Sequence, residues 1–329
     1  MTGLIEVRNL NVRFSGERTV HAVNDVDLTL QQGEVLGLLG ESGSGKSVTL
    51  RALMRLLPRK RAHVSGSINV AGQDVLALDD DQLSAFRGQV ASMIFQEPGL
   101  ALDPVYTVGD QIAETVMRHE GKSRADAMAR ALEMLDVVRI PSAKRRLKSF
   151  PHEMSGGMRQ RAMIALALAC RPKVLLADEP TTALDATVQI QILLLLRELQ
   201  RQFGMSVIFV THDIGVATEI CDRIAVMYAG QIVEAGSCRD IVRAPAHPYP
   251  RGLLASTVRG ARRGEPLEAI PGSPPTLDFA PVNCSFAPRC RHAEARCLEA
   301  RPPAVEIAPG HVARCVLARP MLSSETDRA

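Results

Sequence analysis

The sequence contains no tryptophan, and aromatic residues make up only 3% of its 329 positions. Few rings are therefore present for stacking on nucleic-acid bases. An excess of charge of either sign is also missing, since 39 basic and 36 acidic residues leave a formal net charge of +3. The composition thus argues against nucleic acid as a partner and against electrostatic binding to an anionic membrane surface.

Long hydrophobic runs are absent as well. Nowhere do about 18 apolar residues follow one another, as a membrane-spanning helix requires. Residues 1–9 lack the basic region and apolar stretch of a secretory signal. We therefore expect a cytosolic protein that does not itself span a membrane. Hydrophobic residues make up 46% of the chain, enough for sizeable cores in about two domains.

A glycine-rich stretch at residues 40–47 directly follows the apolar run at 35–39. Its residues are Gly40, Glu41, Ser42, Gly43, Ser44, Gly45, Lys46 and Ser47. A strand, a glycine-rich turn and a helix in this order leave several backbone N–H groups directed at one point, where an anion can bind. The lysine adds a positive charge for the β- and γ-phosphates, and the final serine hydroxyl is a ligand for Mg²⁺. The stretch predicts a phosphate-binding loop.

The hydrophobic pattern along the chain predicts an α/β fold. Residues 4–14 and 20–30 alternate between apolar and polar, as half-buried antiparallel strands do. Residues 108–138 have helical periodicity, which indicates a helical insertion. The later part alternates strands at 174–177, 206–210, 223–228 and 231–235 with helices at 159–169, 188–203 and 214–221. Such alternation is typical of a parallel sheet with helices on both faces.

Acidic residues follow the short apolar strand at 174–177. We predict that Asp178 binds Mg²⁺ and that Glu179 is the general base for an attacking water, because ligands bind at the carboxyl ends of such strands. Gln96, just after a predicted strand at 90–95, is a candidate for the Mg²⁺ ion or the water. His212, after the strand at 206–210, is a candidate donor to the γ-phosphate.

A second anion-binding turn precedes the helix at 159–169. Ser155, Gly156 and Gly157 combine small side chains with free N–H groups at the positive end of a helix dipole. One nucleotide does not need two such turns from the same chain. We therefore predict that Ser155 contacts a nucleotide bound to a neighbouring subunit.

The composition changes near residue 244. Thirteen of the 20 prolines lie between Pro245 and Pro320, so this segment has few long helices and little core of its own. Four of the seven cysteines are also here, namely Cys284, Cys290, Cys297 and Cys315. Their spacing does not match the paired C-x-x-C of common zinc ribbons. By number they fit a [4Fe–4S] cluster and a zinc site equally, and four free thiols are the third possibility.

The motifs together resemble the ATP-binding subunits of ABC transporters. In this sequence, residues 40–47 correspond to the family's Walker A motif, Gln96 to its Q-loop and residues 155–158 to its signature. Residues 174–179 correspond to Walker B, residues 183–185 to the D-loop and His212 to the H-loop. The resemblance implies that Asp185 belongs to the nucleotide site and that Phe14 stacks on adenine. The signature departs from the commonest form at Met154 and Met158, both outside the Ser-Gly-Gly turn.

The resemblance narrows to the oligopeptide and dipeptide branch of ABC importers. The segments that carry it are 41–48, 93–98, 154–161, 177–184, 247–249 with 252–254, and the pattern around Pro288, Arg289, Cys290 and Cys297. It implies ATP held between Walker A of one subunit and the signature of a second, different ATPase subunit. It also implies two membrane permeases, an extracytoplasmic peptide-binding protein, a location on the cytoplasmic face of the membrane and, of the three cysteine alternatives, the [4Fe–4S] cluster.

The expected architecture is an ABC ATPase domain at residues 1–243 and a small proline- and cysteine-rich domain at 244–329. The ATPase domain is expected to have a mixed sheet, an antiparallel β subdomain and a helical subdomain at about 100–160. Importers of glutathione or nickel chelates are alternatives of the same class. A soluble ABC ATPase of DNA repair or translation is disfavoured, because only 58 residues separate Gln96 from Ser155 and the chain has one ATPase domain.

Overall fold

The computed structural model describes residues 3–182, 184–256 and 269–319. The strands are β1 (Ile5–Phe14), β2 (Val20–Leu30), β3 (Val35–Leu39), β4 (Ala62–Val70), β5 (Gln73–Asp74), β6 (Ala91–Ile94), β7 (Val174–Asp178), β8 (Ser206–Thr211), β9 (Arg223–Tyr228), β10 (Gln231–Ser237), β11 (Val305–Ala308) and β12 (His311–Ala313).

The helices are α1 (Lys46–Leu53), α2 (Asp80–Gln89), α3 (Pro98–Ala101), α4 (Val108–Glu120), α5 (Arg124–Val137), α6 (Ala143–Arg146), α7 (Gly156–Leu168), α8 (Ala186–Phe203), α9 (Ile214–Ile220), α10 (Cys238–Arg243), α11 (Pro248–Ala255) and α12 (Arg296–Glu299). In the described ranges no helix has both the length and the apolar character needed to cross a membrane.

The antiparallel sheet has the strand order β2-β1-β4-β5. Alternate side chains of β1 and β2 are buried, because successive residues of a strand point to opposite faces. The predicted antiparallel β subdomain is therefore confirmed. Its buried face packs on α1 and on one face of the larger sheet, in a core that includes Leu10, Leu50 and Leu176.

The larger sheet has eight strands in the order β11-β12-β10-β9-β3-β8-β7-β6. Neighbours from β9 to β6 are parallel, and β10, β12 and β11 extend the sheet with antiparallel pairs. Every residue of β3, β7 and β8 is buried, as expected for central strands covered on both faces. The mixed sheet predicted from the sequence is confirmed, and its central strands end at the candidate site.

The predicted helical insertion consists of two main helices. Gly121 ends α4 in the left-handed conformation, and Ser123 caps the first turn of α5 by accepting from the backbone of Asp126. Apolar side chains of both helices, such as Ile112 and Leu135, pack in one core with residues of α7. This places the start of α7, the predicted signature turn, on a helical subdomain.

Two differences from the predicted elements have local causes. The apolar residues at 50, 53, 54 and 57 have the spacing of one helix face and predict a helix over 46–57. Helix α1 nevertheless ends at Leu53, because Arg55 adopts a positive φ of 48°, which helices do not accommodate. Helix α2 was not predicted. Its first turn is stabilised by a capping box between Asp79 and Gln82.

The C-terminal segment is built largely of short elements and turns. Its strands β11 and β12 belong to the large sheet, where Ala313 pairs with Glu234 of β10. The buried Glu234 carboxylate also lies 2.7 Å from His311 Nε2 and accepts from the backbone N–H groups of Ala246 and His247. These contacts attach residues 246–247 and 311–313 to the edge of the ATPase sheet.

Candidate functional site

The glycine-rich turn joins β3 to α1 and leaves no room for a side chain at two of its glycines. A Cβ atom on Gly40 would lie 2.2 Å from the carbonyl oxygen of Met227. Gly45 has a φ of 103°, and a Cβ atom there would lie 2.5 Å from the carbonyl oxygen of Ala22. Both positions therefore require glycine, and the turn has the tight shape needed to bring N–H groups close to an anion.

Lys46 begins α1 and is almost fully buried. Its Nζ donates to the carbonyl oxygens of Gly40 at 2.7 Å and Glu41 at 2.8 Å. Burial lowers the pKa of Lys46, and the carboxylates of Glu179 and Asp178 oppose that shift. The ammonium group is thus held inside the turn, where it can neutralise phosphate charge.

Ser47 and Asp178 lie side by side, although 131 positions separate them in sequence. The Ser47 hydroxyl donates to Asp178 Oδ1 at 2.7 Å. Burial raises the pKa of Asp178, and the hydrogen bond from Ser47 counteracts this. A hydroxyl and a carboxylate are oxygen ligands of the kind that Mg²⁺ prefers, so this pair fits the predicted metal role. Gln96, the third predicted ligand, contacts Glu179 instead.

Glu179 follows β7 in a left-handed backbone conformation, with a φ of 45°. Such backbone strain in a residue other than glycine is typical of functional sites. Its Oε2 atom is reached by His212 Nδ1 at 3.2 Å and by Gln96 Nε2 at 3.5 Å. A third hydrogen-bond partner, which the sequence did not predict, is Thr182, whose hydroxyl donates to the same oxygen at 3.0 Å. The four side chains therefore form one polar cluster.

One cleft brings most of the predicted site residues together. It has a volume of about 790 Å³. Its lining includes Phe14, Val20, Ala22, residues 41–48, Gln96, Glu179, Thr182 and His212, together with Leu253, Ser256 and Leu277 from the C-terminal segment. Sequence patterns carried no signal for the last three residues, because their position depends on long-range packing.

The predicted signature turn does not line this cleft. Ser155 caps α7 by accepting from the backbone of Met158 at 3.3 Å, and it is exposed together with Gly156, while Gly157 is half-buried. Asp185 is likewise exposed and caps α8 by accepting from Val188 at 3.0 Å. Ala183, the first D-loop residue, lies outside the described residues. The structure therefore separates the phosphate-binding loop from the signature turn within one chain.

The C-terminal segment contacts the phosphate-binding loop at Glu41. The backbone N–H of Glu41 donates to the Tyr249 hydroxyl at 2.9 Å, and the Arg289 guanidinium donates to both carboxylate oxygens of Glu41. In the sequence, Arg289 was only part of the family resemblance, and no pattern predicted this contact across 248 positions.

The four C-terminal cysteines lie on neighbouring turns. Backbone N–H groups reach the sulfur atoms of Cys290, Cys297 and Cys315 at 3.4 Å. Burial raises the pKa of Cys284, Cys290 and Cys315, which favours neutral thiols. Within the described ranges, no group of three or more histidine, cysteine or acidic side chains is arranged to hold a metal ion. The predicted iron–sulfur cluster and the zinc alternative therefore have no support from this geometry.

Comparisons with known proteins identify a family whose members bind ATP, in agreement with the phosphate-binding loop. The family described as ABC transporter matches residues 23–182, and the oligopeptide/dipeptide transporter C-terminal region matches residues 233–297. The oligopeptide transport ATP-binding protein OppD of Salmonella typhimurium is 49% identical over 95% of this chain and 93% of its own. A probable peptide ABC transporter ATP-binding protein of Sinorhizobium fredii is 51% identical over 95% of this chain and 94% of its own.

Among solved structures, a dimeric post-hydrolysis state of the ATP-binding cassette MJ0796, bound to ADP and Pi, aligns with a TM-score of 0.64. Its sequence identity is 31%, and the alignment covers 71% of this chain and 99% of that one. The predicted ABC-type fold is therefore confirmed. Two family models match along the chain, relatives that are about half identical cover nearly all of it, and the structure assembles the phosphate site. The chain therefore belongs to the ATP-binding subunits of oligopeptide-type ABC transporters.

Proposed function

We propose that the protein lies on the cytoplasmic face of the membrane and hydrolyses ATP there to drive the import of peptides. The observation that carries the proposal is the Glu179 cluster, which lies in the same cleft as Lys46 and Ser47. A loop that only bound nucleotide would not need a carboxylate held by a threonine, a glutamine and a histidine. The named peptide transport of the relatives supports the class of substrate.

Each residue has a defined task in hydrolysis. The N–H groups of residues 41–47 and the Lys46 ammonium bind the phosphates, and Phe14 at the edge of the cleft stacks on adenine. Ser47 and Asp178 would hold Mg²⁺, which would neutralise charge on the phosphate oxygens. Glu179 accepts a proton from the attacking water, while His212 and Gln96 orient the carboxylate and the γ-phosphate.

We also propose that the working unit is a heterodimer with a second ATPase subunit. The exposed signature turn at Ser155 and its absence from the cleft support a dimer, because the turn then remains available for a nucleotide on the partner, and the family resemblance implies that the partner is a different ATPase subunit. In this arrangement Asp185, which is exposed at the start of α8, lies beside the interface between the two ATPase subunits. Binding of ATP closes the dimer and hydrolysis reopens it, a two-state change that drives two permeases fed by an extracytoplasmic binding protein.

Reconstitution tests the function directly. The chain is co-expressed with its permeases and second ATPase, placed in proteoliposomes and supplied with binding protein and ATP. We expect ATP hydrolysis and uptake to be stimulated by labelled di- and oligopeptides. If glutathione or a nickel chelate stimulated hydrolysis and peptides did not, the transporter would be one of the alternative importers. Hydrolysis that no transport substrate stimulates would contradict the proposal.

The iron–sulfur cluster remains a prediction of the sequence resemblance. Its support is the presence of four cysteines within residues 284–315. Iron, zinc and acid-labile sulfide are measured on the full-length chain purified without oxygen. About four irons and four sulfides per chain would support the cluster, one zinc would support the alternative, and neither would leave four free thiols.

The division into an ATPase domain at 1–243 and a C-terminal domain at 244–329 is part of the same proposal, with a helical subdomain at about 100–160. The change in proline content near residue 244 supports the boundary. The pairing of β12 with β10 means that the two parts share a sheet.

A further inference from the structure

Arg289 and Glu41 form a bidentate ion pair between the C-terminal segment and the phosphate-binding loop. Nη1 of Arg289 lies 2.6 Å from Glu41 Oε2, and Nη2 lies 3.0 Å from Oε1. Only 5% of the Arg289 side chain is exposed, against 28% for Glu41. Paired, parallel hydrogen bonds of this kind fix both direction and distance, so the pair holds the Glu41 carboxylate in one position.

The guanidinium is itself held by several groups. Its Nε donates to the Pro271 carbonyl oxygen at 2.8 Å, and it lies against the ring of Tyr228, 5.8 Å from the ring centre. Tyr249, which accepts from the Glu41 N–H group, packs on the same Tyr228 ring at 4.7 Å between centres. The backbone and the carboxylate of Glu41 are therefore both anchored to one buried aromatic cluster.

The position of Glu41 has an electrostatic consequence for ATP. Its carboxylate is close enough to Lys46 to oppose the lowering of the Lys46 pKa by burial, after the larger effects of Glu179 and Asp178. It also lines the cleft with the rest of the loop. A free carboxylate at this point would repel the phosphates of an incoming nucleotide. Arg289 neutralises that charge through the ion pair.

We propose that Arg289 is a positioning residue of the nucleotide site, through which the C-terminal segment sets the affinity for ATP. It neutralises Glu41 and holds the phosphate-binding loop in its binding conformation. The proposal depends only on ATP binding at residues 40–47, and not on the transported substrate or on a cluster at the cysteines. A failure of peptide transport would therefore leave it unaffected.

The test compares Arg289→Gln, Glu41→Gln and the double variant in the full-length chain. Equilibrium binding of MgATP and steady-state hydrolysis are measured at low and high salt. We expect Arg289→Gln to raise Kd and KM about tenfold, with kcat within about twofold of wild type, because the Glu179 cluster is untouched. The double variant should regain most of the lost affinity, since the unpaired carboxylate is gone. Salt should reduce the defect of Arg289→Gln.

A purely structural role would produce different results. A double variant that binds ATP no better than Arg289→Gln would overturn the proposal, and so would a fall in kcat with KM unchanged. Arg296→Gln is the matched control, because this exposed arginine also pairs with a carboxylate in the C-terminal segment, that of Glu294, at 2.7 Å. We expect it to leave Kd unchanged, and a tenfold loss there would count against a specific effect of Arg289.

Arg289→Lys separates charge from folding. Lysine keeps the positive charge but lacks the planar fork, so we expect a Kd between those of wild type and Arg289→Gln. Thermal unfolding is recorded for every variant. If Arg289→Gln proves unfolded, Arg289→Lys carries the test, and a Kd equal to that of wild type at both low and high salt would contradict the proposal.

Discussion

The Thr182 hydroxyl donates to Glu179 Oε2 at 3.0 Å, and His212 Nδ1 lies 3.2 Å from the same oxygen. One carboxylate oxygen is therefore fixed by neighbours, while the left-handed backbone of Glu179 projects the side chain into the cleft. In the proposed mechanism the two oxygens have different tasks, because a constrained Oε2 leaves Oε1 to accept a proton from water. The first two predictions follow from this arrangement.

Replacement of Glu179 by glutamine should abolish turnover and retain ATP. The amide cannot accept a proton from water, and general-base catalysis contributes about a hundredfold or more to such reactions. Phosphate release and MgATP binding are measured in parallel. Glu198→Gln is the control, because Glu198 is on the exposed face of α8 and pairs with Arg139. Normal hydrolysis by Glu179→Gln would remove the catalytic assignment.

Replacement of Thr182 by valine should lower kcat about three- to tenfold and leave KM nearly unchanged. Valine preserves the shape but removes one hydrogen bond to Glu179, and a bond of this kind contributes about 1 kcal/mol. Steady-state kinetics at saturating Mg²⁺ provide the measurement. Thr115→Val, which removes a hydroxyl bonded to the Gln111 carbonyl inside α4, controls for the substitution itself. A large rise in KM would mean that Thr182 binds nucleotide directly.

Replacement of Lys46 by alanine should weaken ATP binding at least about tenfold, because a charge-assisted contact to phosphate is lost. The readout is the Kd of a fluorescent ATP analogue in the presence of Mg²⁺. Lys144→Ala in the exposed basic stretch of α6 is the control. Unchanged affinity in Lys46→Ala would contradict the role of the loop as a phosphate site.

Replacement of Ser155 by alanine should impair the partner's ATP site more than the site on the same chain. The serine is exposed and does not line the cleft of its own subunit. Heterodimers are assembled with one mutant and one wild-type subunit, and each site is silenced in turn through its general base. We expect about a tenfold loss at the partner's site. An equal loss at the site formed by this chain's own loop would contradict the head-to-tail arrangement.

The sequence predicted the local features of the site well. The order of glycine, serine and lysine in residues 40–47 predicts a phosphate-binding loop, although the contacts that require glycine at Gly40 and Gly45 are made with Met227 and Ala22, outside the loop. Asp178 and Glu179 were also identifiable, because a continuous apolar strand such as β7 predicts where its carboxyl end lies. Helix α2 carried a recognisable signal as well, the Asp79 and Gln82 capping pair, which the sequence analysis overlooked.

Long-range contacts could not be predicted in the same way. Nothing in the spacing of Arg289 shows that it reaches Glu41 across 248 positions, since the contact depends on how the C-terminal turns pack. The addition of β11 and β12 to the large sheet is of the same type. Short strands in a proline-rich segment have weak patterns, and only the exposed edge of β10 determines where they pair.

The pairing of β12 with β10 has a consequence for the order of events during synthesis. Residues 1–243, which contain every motif for ATP, leave the ribosome well before residues 305–313. Until those residues arrive, β10 is an open edge able to pair with other chains. Arg289, which holds Glu41, arrives late as well. The ATP motifs are therefore synthesised before β12, which in the described ranges covers the edge of β10.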